Sequence, residues 1–139
     1  MNTKAKGDRT EAEVLCRLVK LTDTVLMPFG ENQGYDMVFD LDGRLYRVQC
    51  KTGTLNSRTQ DTISFSTSST YKVQGELVWK SLSGECDFFG VHCPELDQVW
   101  LVPSSEVGAR EATLRLRGGG SSSRMAEDYE AQKVIASMR

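Results

Sequence analysis

Asp36-Met37-Val38-Phe39-Asp40-Leu41-Asp42-Gly43-Arg44-Leu45-Tyr46-Arg47-Val48-Gln49-Cys50-Lys51-Thr52 is the stretch that organises the rest of the chain. Asp42-Gly43 separates two β-prone runs, and an Asp-Gly pair in that setting predicts a two-residue turn of type I′. Leu41 then faces Arg44, and pairing proceeds outward until Asp36 lies opposite Gln49. Side chains alternate along a strand. One face of the hairpin therefore carries Asp36, Val38, Asp40, Leu45, Arg47, Gln49 and Lys51. The other carries Met37, Phe39, Leu41, Arg44, Tyr46, Val48 and Cys50, and is the core face. At the end away from the turn, a carboxylate (Asp36), an amide (Gln49) and an ammonium (Lys51) gather within a few ångströms. Two readings stand here: a solvated strand face with a cross-strand polar pair, or a reactive site.

On the N-terminal side, residues 1–7 read as a loose basic tail. A helix is expected from Asp8 or Thr10 to about Leu21, with Asp8-x-x-Glu11 and Thr10-x-x-Glu13 as possible capping boxes. Val14, Leu15, Leu18 and Val19 follow helical spacing. Glu11 lies on the same stripe as Leu15 and Leu18, whereas Glu13 aligns with Arg17 and Lys20. A carboxylate on an apolar stripe is costly unless capped, paired or holding a metal, so Glu11 either caps the first turn or serves a site. Val25-Leu26-Met27 reads as a short strand stopped by Pro28, and residues 28–35 as a turn-rich loop.

On the C-terminal side, 53–61 reads as a polar loop and 62–68 as an alternating strand. Residues 69–84 suggest a loop with one or two helical turns. Asp87–Cys93 and Gln98–Pro103 form a second hairpin through Pro94-Glu95-Leu96-Asp97, and Ala112–Leu116 is a short strand. Residues 117–123, with Gly118-Gly119-Gly120, read as a flexible loop, and a last helix runs from Ser123 or Arg124 to Ser137. Trp79, Trp100, Phe88 and Phe89 are expected in the core.

The chain has 139 residues, which fits a single domain over 1–139. It is 39% hydrophobic and 26% charged, a globular balance rather than a disordered one. No run approaches the ~18–20 apolar residues of a membrane span, and no apolar stretch follows the basic N-terminus, so a cytoplasmic, nucleoid-associated protein with reduced thiols is expected. The net charge of −2 excludes a generic basic nucleic-acid coat. It leaves room for local cations: Arg44, Arg47, Arg58 and Lys72 near the hairpin in sequence, and Arg115 and Arg117 with Arg110 and Arg124 further on. These are solubilising surface or DNA contacts. The Ser64, Ser66 and Ser68 row is a wet strand face or a set of phosphate or base contacts. Zinc is disfavoured, because His92 is the only histidine and His92-Cys93 point to opposite strand faces. No phosphate-binding glycine motif is present.

Three segments then carry a resemblance. Lys6-Gly7-Asp8-Arg9-Thr10-Glu11, Gly34-Tyr35-Asp36 and Tyr46-Arg47-Val48-Gln49-Cys50-Lys51 resemble the PD-(D/E)XK nuclease superfamily, and within it the group I intron-associated homing endonucleases. Phe65–Ser69, Asp87–Pro94 and Val99–Pro103 are similar as well, so the likeness spans roughly residues 6–108. It implies an α/β fold (α+β mixed) with a restriction-endonuclease-like core: a central mixed sheet whose hairpin carries the site, flanked by an N-terminal and a C-terminal helix. It implies Asp36 as principal metal carboxylate, Gln49 as an amide ligand where most of the superfamily has Glu or Asp, Glu11 as an assisting carboxylate, and Lys51 as the motif lysine. Mg²⁺, or Mn²⁺ in its place, is the implied cofactor. Double-stranded DNA is the implied substrate, and a homo-dimer or tetramer the implied assembly. The neutral Gln49 leaves a non-catalytic DNA-binding module as the alternative. A repair or junction-resolving nuclease is the other alternative.

Overall fold

The computed structural model describes residues 2–30 and 34–139. Residues 31–33 of the turn-rich loop, and Met1 of the expected tail, lie outside the described residues. The first helix, α1, spans Thr3–Leu21, so residues 3–7 are helical rather than a loose tail. Asn2 is the reason: its side chain accepts the Ala5 N–H at 2.8 Å, satisfying one of the free donors of the first turn. The capping boxes at Asp8 and Thr10 are not used. Thr10, Val14 and Leu18 form the buried stripe. Thr22 ends the helix, its backbone N–H and its hydroxyl both donating to the Leu18 carbonyl.

Two strands, β2 (Met37–Leu41) and β3 (Arg44–Thr52), form the expected hairpin in the expected register, Leu41 opposite Arg44 and Met37 opposite Val48. Asp42 and Gly43 both have positive φ, as a type I′ turn requires. With β1 (Thr24–Leu26), β8 (Phe88–Cys93) and β9 (Gln98–Pro103) they build a five-stranded mixed sheet in the order β1-β2-β3-β8-β9. The one parallel pairing joins β3 to β8. Every residue of β8 is buried, as expected for a strand covered on both faces.

Both helices lie on one face of this sheet. Val14 and Leu18 of α1 share a core with Met37, Phe39, Val48 and Leu101, and with Ala131 and Ile135 of α2 (Ala131–Met138). The fold is α+β, with two helices against a mixed central sheet. The last helix is shorter than expected. A 3-10 turn occupies Ala126–Tyr129, and Glu130 is extended (ψ 133°) where it bridges to Trp100 on the free edge of β9.

The opposite face is covered by a smaller sheet. It consists of β4 (Thr54–Leu55), β5 (Thr62–Ser66) and β10 (Glu111–Arg115), in the order β10-β5-β4. Ile63, Phe65 and Leu114 pack on Phe89, Val91 and Trp100. The hairpin face expected to meet water is therefore roofed at its far end, and Gln49 and Lys51 are half-buried. The chain crosses between the two sheets at Gly53, where a Cβ would stand 2.6 Å from Ile63 Cγ2. Only glycine fits that crossing.

Residues 69–84 hold strands where a loop or helical turns were expected. Strands β6 (Ser68–Val73) and β7 (Glu76–Ser81) form a two-stranded ribbon closed by Gln74-Gly75, both at positive φ. Trp79 on this ribbon is 42% exposed and is not a core residue, whereas Trp100, Phe88 and Phe89 are buried as expected.

Candidate active site

The site forms where β3 outruns its partner. The β2 ladder ends at the Met37–Val48 pair, so Gln49–Thr52 are held only by β8 on their other side. Asp36 fills the vacated edge in place of a strand residue. Its N–H donates to the Val48 carbonyl at 2.8 Å, and its carboxylate accepts the Cys50 N–H at 2.7 Å. The Asp36 backbone thus stays level with Val48 while its carboxylate reaches past Gln49 to Cys50, whose thiol also lies against it. Burial raises the Asp36 carboxyl above the usual carboxylate range, and the Cys50 N–H and the nearby Lys51 charge only partly offset this.

Lys51 is half-buried, and its ammonium donates to the Ser68 carbonyl at 3.1 Å. Burial lowers its pKa, and the Asp36 charge pulls it back up. Glu11 lies in the third turn of α1, nine residues beyond the Asn2 cap, and so has no cap to serve. Its carboxyl is raised by burial first and by the Asp36 charge second. Glu11, Asp36 and Lys51 therefore share one electrostatic environment at the open end of β3. The Gln49 side chain is half-buried on the Lys51 face, with no hydrogen-bond partner among the described residues. The Cys50 thiol is held protonated, pushed well up by burial and by the neighbouring Asp36 and Glu11 charges.

Sequence reasoning did not foresee how α1 is fastened to this site. Thr10, only 2% exposed, meets Thr52 hydroxyl to hydroxyl at 2.5 Å. This places the helix carrying Glu11 against the strand carrying Lys51. The Thr10 position on the Val14 and Leu18 stripe was the available signal.

The cations divide into two sets. Arg44 is exposed beside the turn, at the opposite end of the hairpin from Asp36, and does not join the site. Arg47 is tied to Asp87, which accepts its backbone N–H at 2.8 Å and faces its guanidinium at 3.5 Å. Arg115 pairs with Asp61 at 3.3 Å, and Arg117 donates to the Thr59 carbonyl at 2.9 Å; both brace the 56–61 loop. Arg58 is exposed in that loop. Ser66 and Ser68 lie beside Lys51, the Ser66 hydroxyl donating to the same Ser68 carbonyl at 2.9 Å. Lys72 is exposed on the ribbon. Arg110 reaches back to it, its guanidinium 4.1 Å from the centre of the Trp79 ring. The row from Thr52 and Thr54 through Ser64, Ser66 and Ser68 to Arg110, with Glu111 beside it, lines an open trough that leads away from Lys51.

A second group of titratable side chains, Glu13, His92 and Asp97, brings its donor atoms within 4.8 Å of one another. It is only partly satisfied: His92 Nε2 lies 3.2 Å from Asp97, and Arg17 binds the Asp97 carbonyl at 2.9 Å and lies 3.8 Å from its carboxylate, while the buried His92 Nδ1 has no partner among the described residues. It fastens α1 to the β8–β9 turn.

The sequence profile of the family described as PD-(D/E)XK endonuclease matches residues 1–132. The chain belongs to the PD-(D/E)XK endonuclease family. Among solved structures it is similar to a bacterial homing endonuclease, I-Ssp6803I, with a TM-score of 0.73 and 24% identity, covering 100% of this chain and 99% of that one. At that identity the likeness speaks for the fold. No match was found among curated proteins. Among the described residues, no helix is long and apolar enough to cross a membrane.

Proposed function

We propose that the chain is a metal-dependent DNA endonuclease of the homing type, associated with a group I intron or a related mobile element. What supports this reading is that Asp36 and Lys51 feel each other's charge where β3 outruns β2, and that Glu11 on the helix fastened there by Thr10 feels the charge of Asp36. Burial raises both carboxyls, and the Asp36 charge raises Glu11 further, so the pair favours positive charge beyond that of Lys51. Gln49 offers an unengaged amide. A set of oxygen donors with this charge deficit suits Mg²⁺ or Mn²⁺. Asp36, Gln49 and Glu11 would hold the ion.

When bound, such an ion polarises the phosphate and acidifies a water. The chain's own residues supply the remainder. The Cys50 N–H orients the Asp36 carboxylate. The Ser68 carbonyl holds the Lys51 ammonium, whose charge stands where a scissile phosphate would develop negative charge. The trough lined by Thr54, Ser66 and Arg110 gives the DNA backbone polar donors beside that point. A single chain of this size presents few phosphate contacts, and two-fold DNA sites call for symmetric proteins, so the working form is a dimer or a dimer of dimers.

The test is nicking and linearisation of a plasmid carrying an uninterrupted intron-insertion locus, with Mg²⁺ and with EDTA, beside Asp36→Ala and Lys51→Ala. Wild-type cleavage that needs Mg²⁺ and is lost in both variants is expected. Retained cleavage in both variants would sink the site assignment. Salt-sensitive binding without cleavage by any form would favour a non-catalytic DNA-binding module, and preference for branched DNA a junction-resolving nuclease.

A further inference from the structure

Beyond Ser68, whose carbonyl holds Lys51, the β6–β7 ribbon has no role in the proposed catalytic chemistry, and none of its residues is buried. Its base is firmly anchored. Thr67 is fully buried, its hydroxyl donating to the Gly108 carbonyl at 2.7 Å, its N–H to the Arg110 carbonyl, and its own carbonyl accepting the Leu82 N–H. Beyond that base its large apolar side chains are exposed. Tyr71, Val73, Leu77 and Trp79 are 47%, 47%, 69% and 42% exposed. An isolated two-stranded hairpin is marginal in water, and exposed apolar side chains on both its faces, Leu77 and Trp79 on one and Tyr71 and Val73 on the other, leave it in need of a partner.

The register sorts the ribbon into two faces. Thr70 lies opposite Trp79 and Lys72 opposite Leu77, so these four share one face. Arg110 stacks on the Trp79 of that face, which therefore continues the trough of Ser66, Ser68 and Arg110. The ribbon starts at Ser68, whose carbonyl holds Lys51. Among the described residues neither Lys72 nor Arg110 has an acidic partner, whereas Lys80 on the opposite face is paired with Glu85. The unpaired cations thus sit on the face that runs on from the proposed catalytic lysine.

We infer that the Thr70, Lys72, Leu77 and Trp79 face of the ribbon, with Arg110, is the arm that holds and reads duplex DNA beside the cleaved phosphate. This rests on the endonuclease reading above. The major groove, about 12 Å wide, admits a two-stranded β-ribbon. Lys72 and Arg110 meet phosphates, stacking on Trp79 holds the guanidinium in place, and Leu77 offers an apolar edge of the sort that meets a thymine methyl. A second copy of the chain is the competing occupant. The unpaired cations on this one face favour a polyanion.

The test uses the full chain and a mixed-sequence DNA duplex a few turns long, in EDTA, with affinity followed against salt. Lys72→Gln/Arg110→Gln should lower the salt slope by about 1.8, at about 0.9 per lost phosphate contact. Its melting temperature and sedimentation should match wild type, since both side chains are exposed. Leu77→Ser should keep that slope but yield fewer specified base pairs among the cleaved members of a randomised duplex pool. An unchanged slope in the double variant, with wild type binding normally, overturns the ribbon assignment and leaves the catalytic reading standing. An assembly that falls apart in the variants places the ribbon between copies, which also overturns it. Wild type that binds no duplex at all overturns both readings.

Discussion

Gly90 lies in the middle of β8, directly beneath α1, and the substitution Gly90→Ala tests how tightly that helix is seated. A Cβ at this position would stand 2.8 Å from Val14 Cγ1, 3.0 Å from Val48 Cγ1 and 3.5 Å from Val14 Cγ2. Comfortable carbon contacts run about 3.5–4.0 Å, so α1 must lift by roughly 0.5–1 Å or Val14 must leave its preferred rotamer. Overpacking of this kind costs about 1–3 kcal/mol. Replacing glycine by alanine within a strand returns about 0.5–1 kcal/mol through the unfolded chain. The net expectation is a loss of about 1–2 kcal/mol, or about 4–8 °C in melting temperature for a chain of this length. Urea unfolding of wild type and variant at matched pH measures it. Val14→Ala removes the obstructing methyls, so the Gly90→Ala/Val14→Ala double variant should be more stable than the sum of the single changes by about 1 kcal/mol. Because Glu11 lies one turn before Val14, lifting α1 also moves Glu11 away from Asp36, and Gly90→Ala should cleave DNA more slowly at limiting Mg²⁺. A Gly90→Ala protein as stable as wild type, or strictly additive energies in the cycle, would refute the packing argument.

Asp36→Asn should stabilise the fold at pH 7. The folded carboxyl is raised above its ordinary 3.8, so its ionisation disfavours the folded state as pH rises through the folded value; the gain should shrink on acidification and vanish below the ordinary value, as read from urea midpoints at neutral and acid pH. A gain that grows on acidification would contradict the sign. Thr10→Val and Thr52→Val should each cost about 1–2 kcal/mol by leaving the partner hydroxyl without its bond, and the double variant should cost less than their sum by about 1 kcal/mol; strict additivity in thermal unfolding would show that the two hydroxyls do not act together. Gln49→Glu adds a charge to the proposed metal pocket and should reduce the Mg²⁺ needed for half-maximal cleavage by roughly tenfold, equivalent to ~1.4 kcal/mol. An unchanged Mg²⁺ requirement would remove Gln49 from the ligand set.

The hairpin, its register and its turn were legible because their determinants are local. Asp42-Gly43 supplies two residues that tolerate positive φ, and alternation sets the faces. The β8–β9 hairpin was legible for similar reasons. The start of α1 was missed because Asn2, a good cap, lay within a stretch read as a charged tail. The ribbon was missed although Gln74-Gly75 stands between Thr70–Val73 and Leu77–Trp79. Its exposed apolar residues face no core of their own, so the pattern lacks the one-sided burial that marks a strand.

By itself the sequence determined the elements whose hydrogen bonds close between near neighbours, and it brought Asp36, Gln49 and Lys51 to one end of one hairpin. Only the tertiary structure decided what surrounds that end. The parallel β3–β8 pairing joins residues far apart in the chain. The small sheet roofs the face that alternation alone assigned to water, and the Thr10–Thr52 contact holds the helix that carries Glu11 against β3, where Glu11 feels the charge of Asp36. These contacts depend on packing between distant segments, which periodicity and turn chemistry do not encode. The raised Asp36 carboxyl follows from them, because burial is a property of the assembled fold.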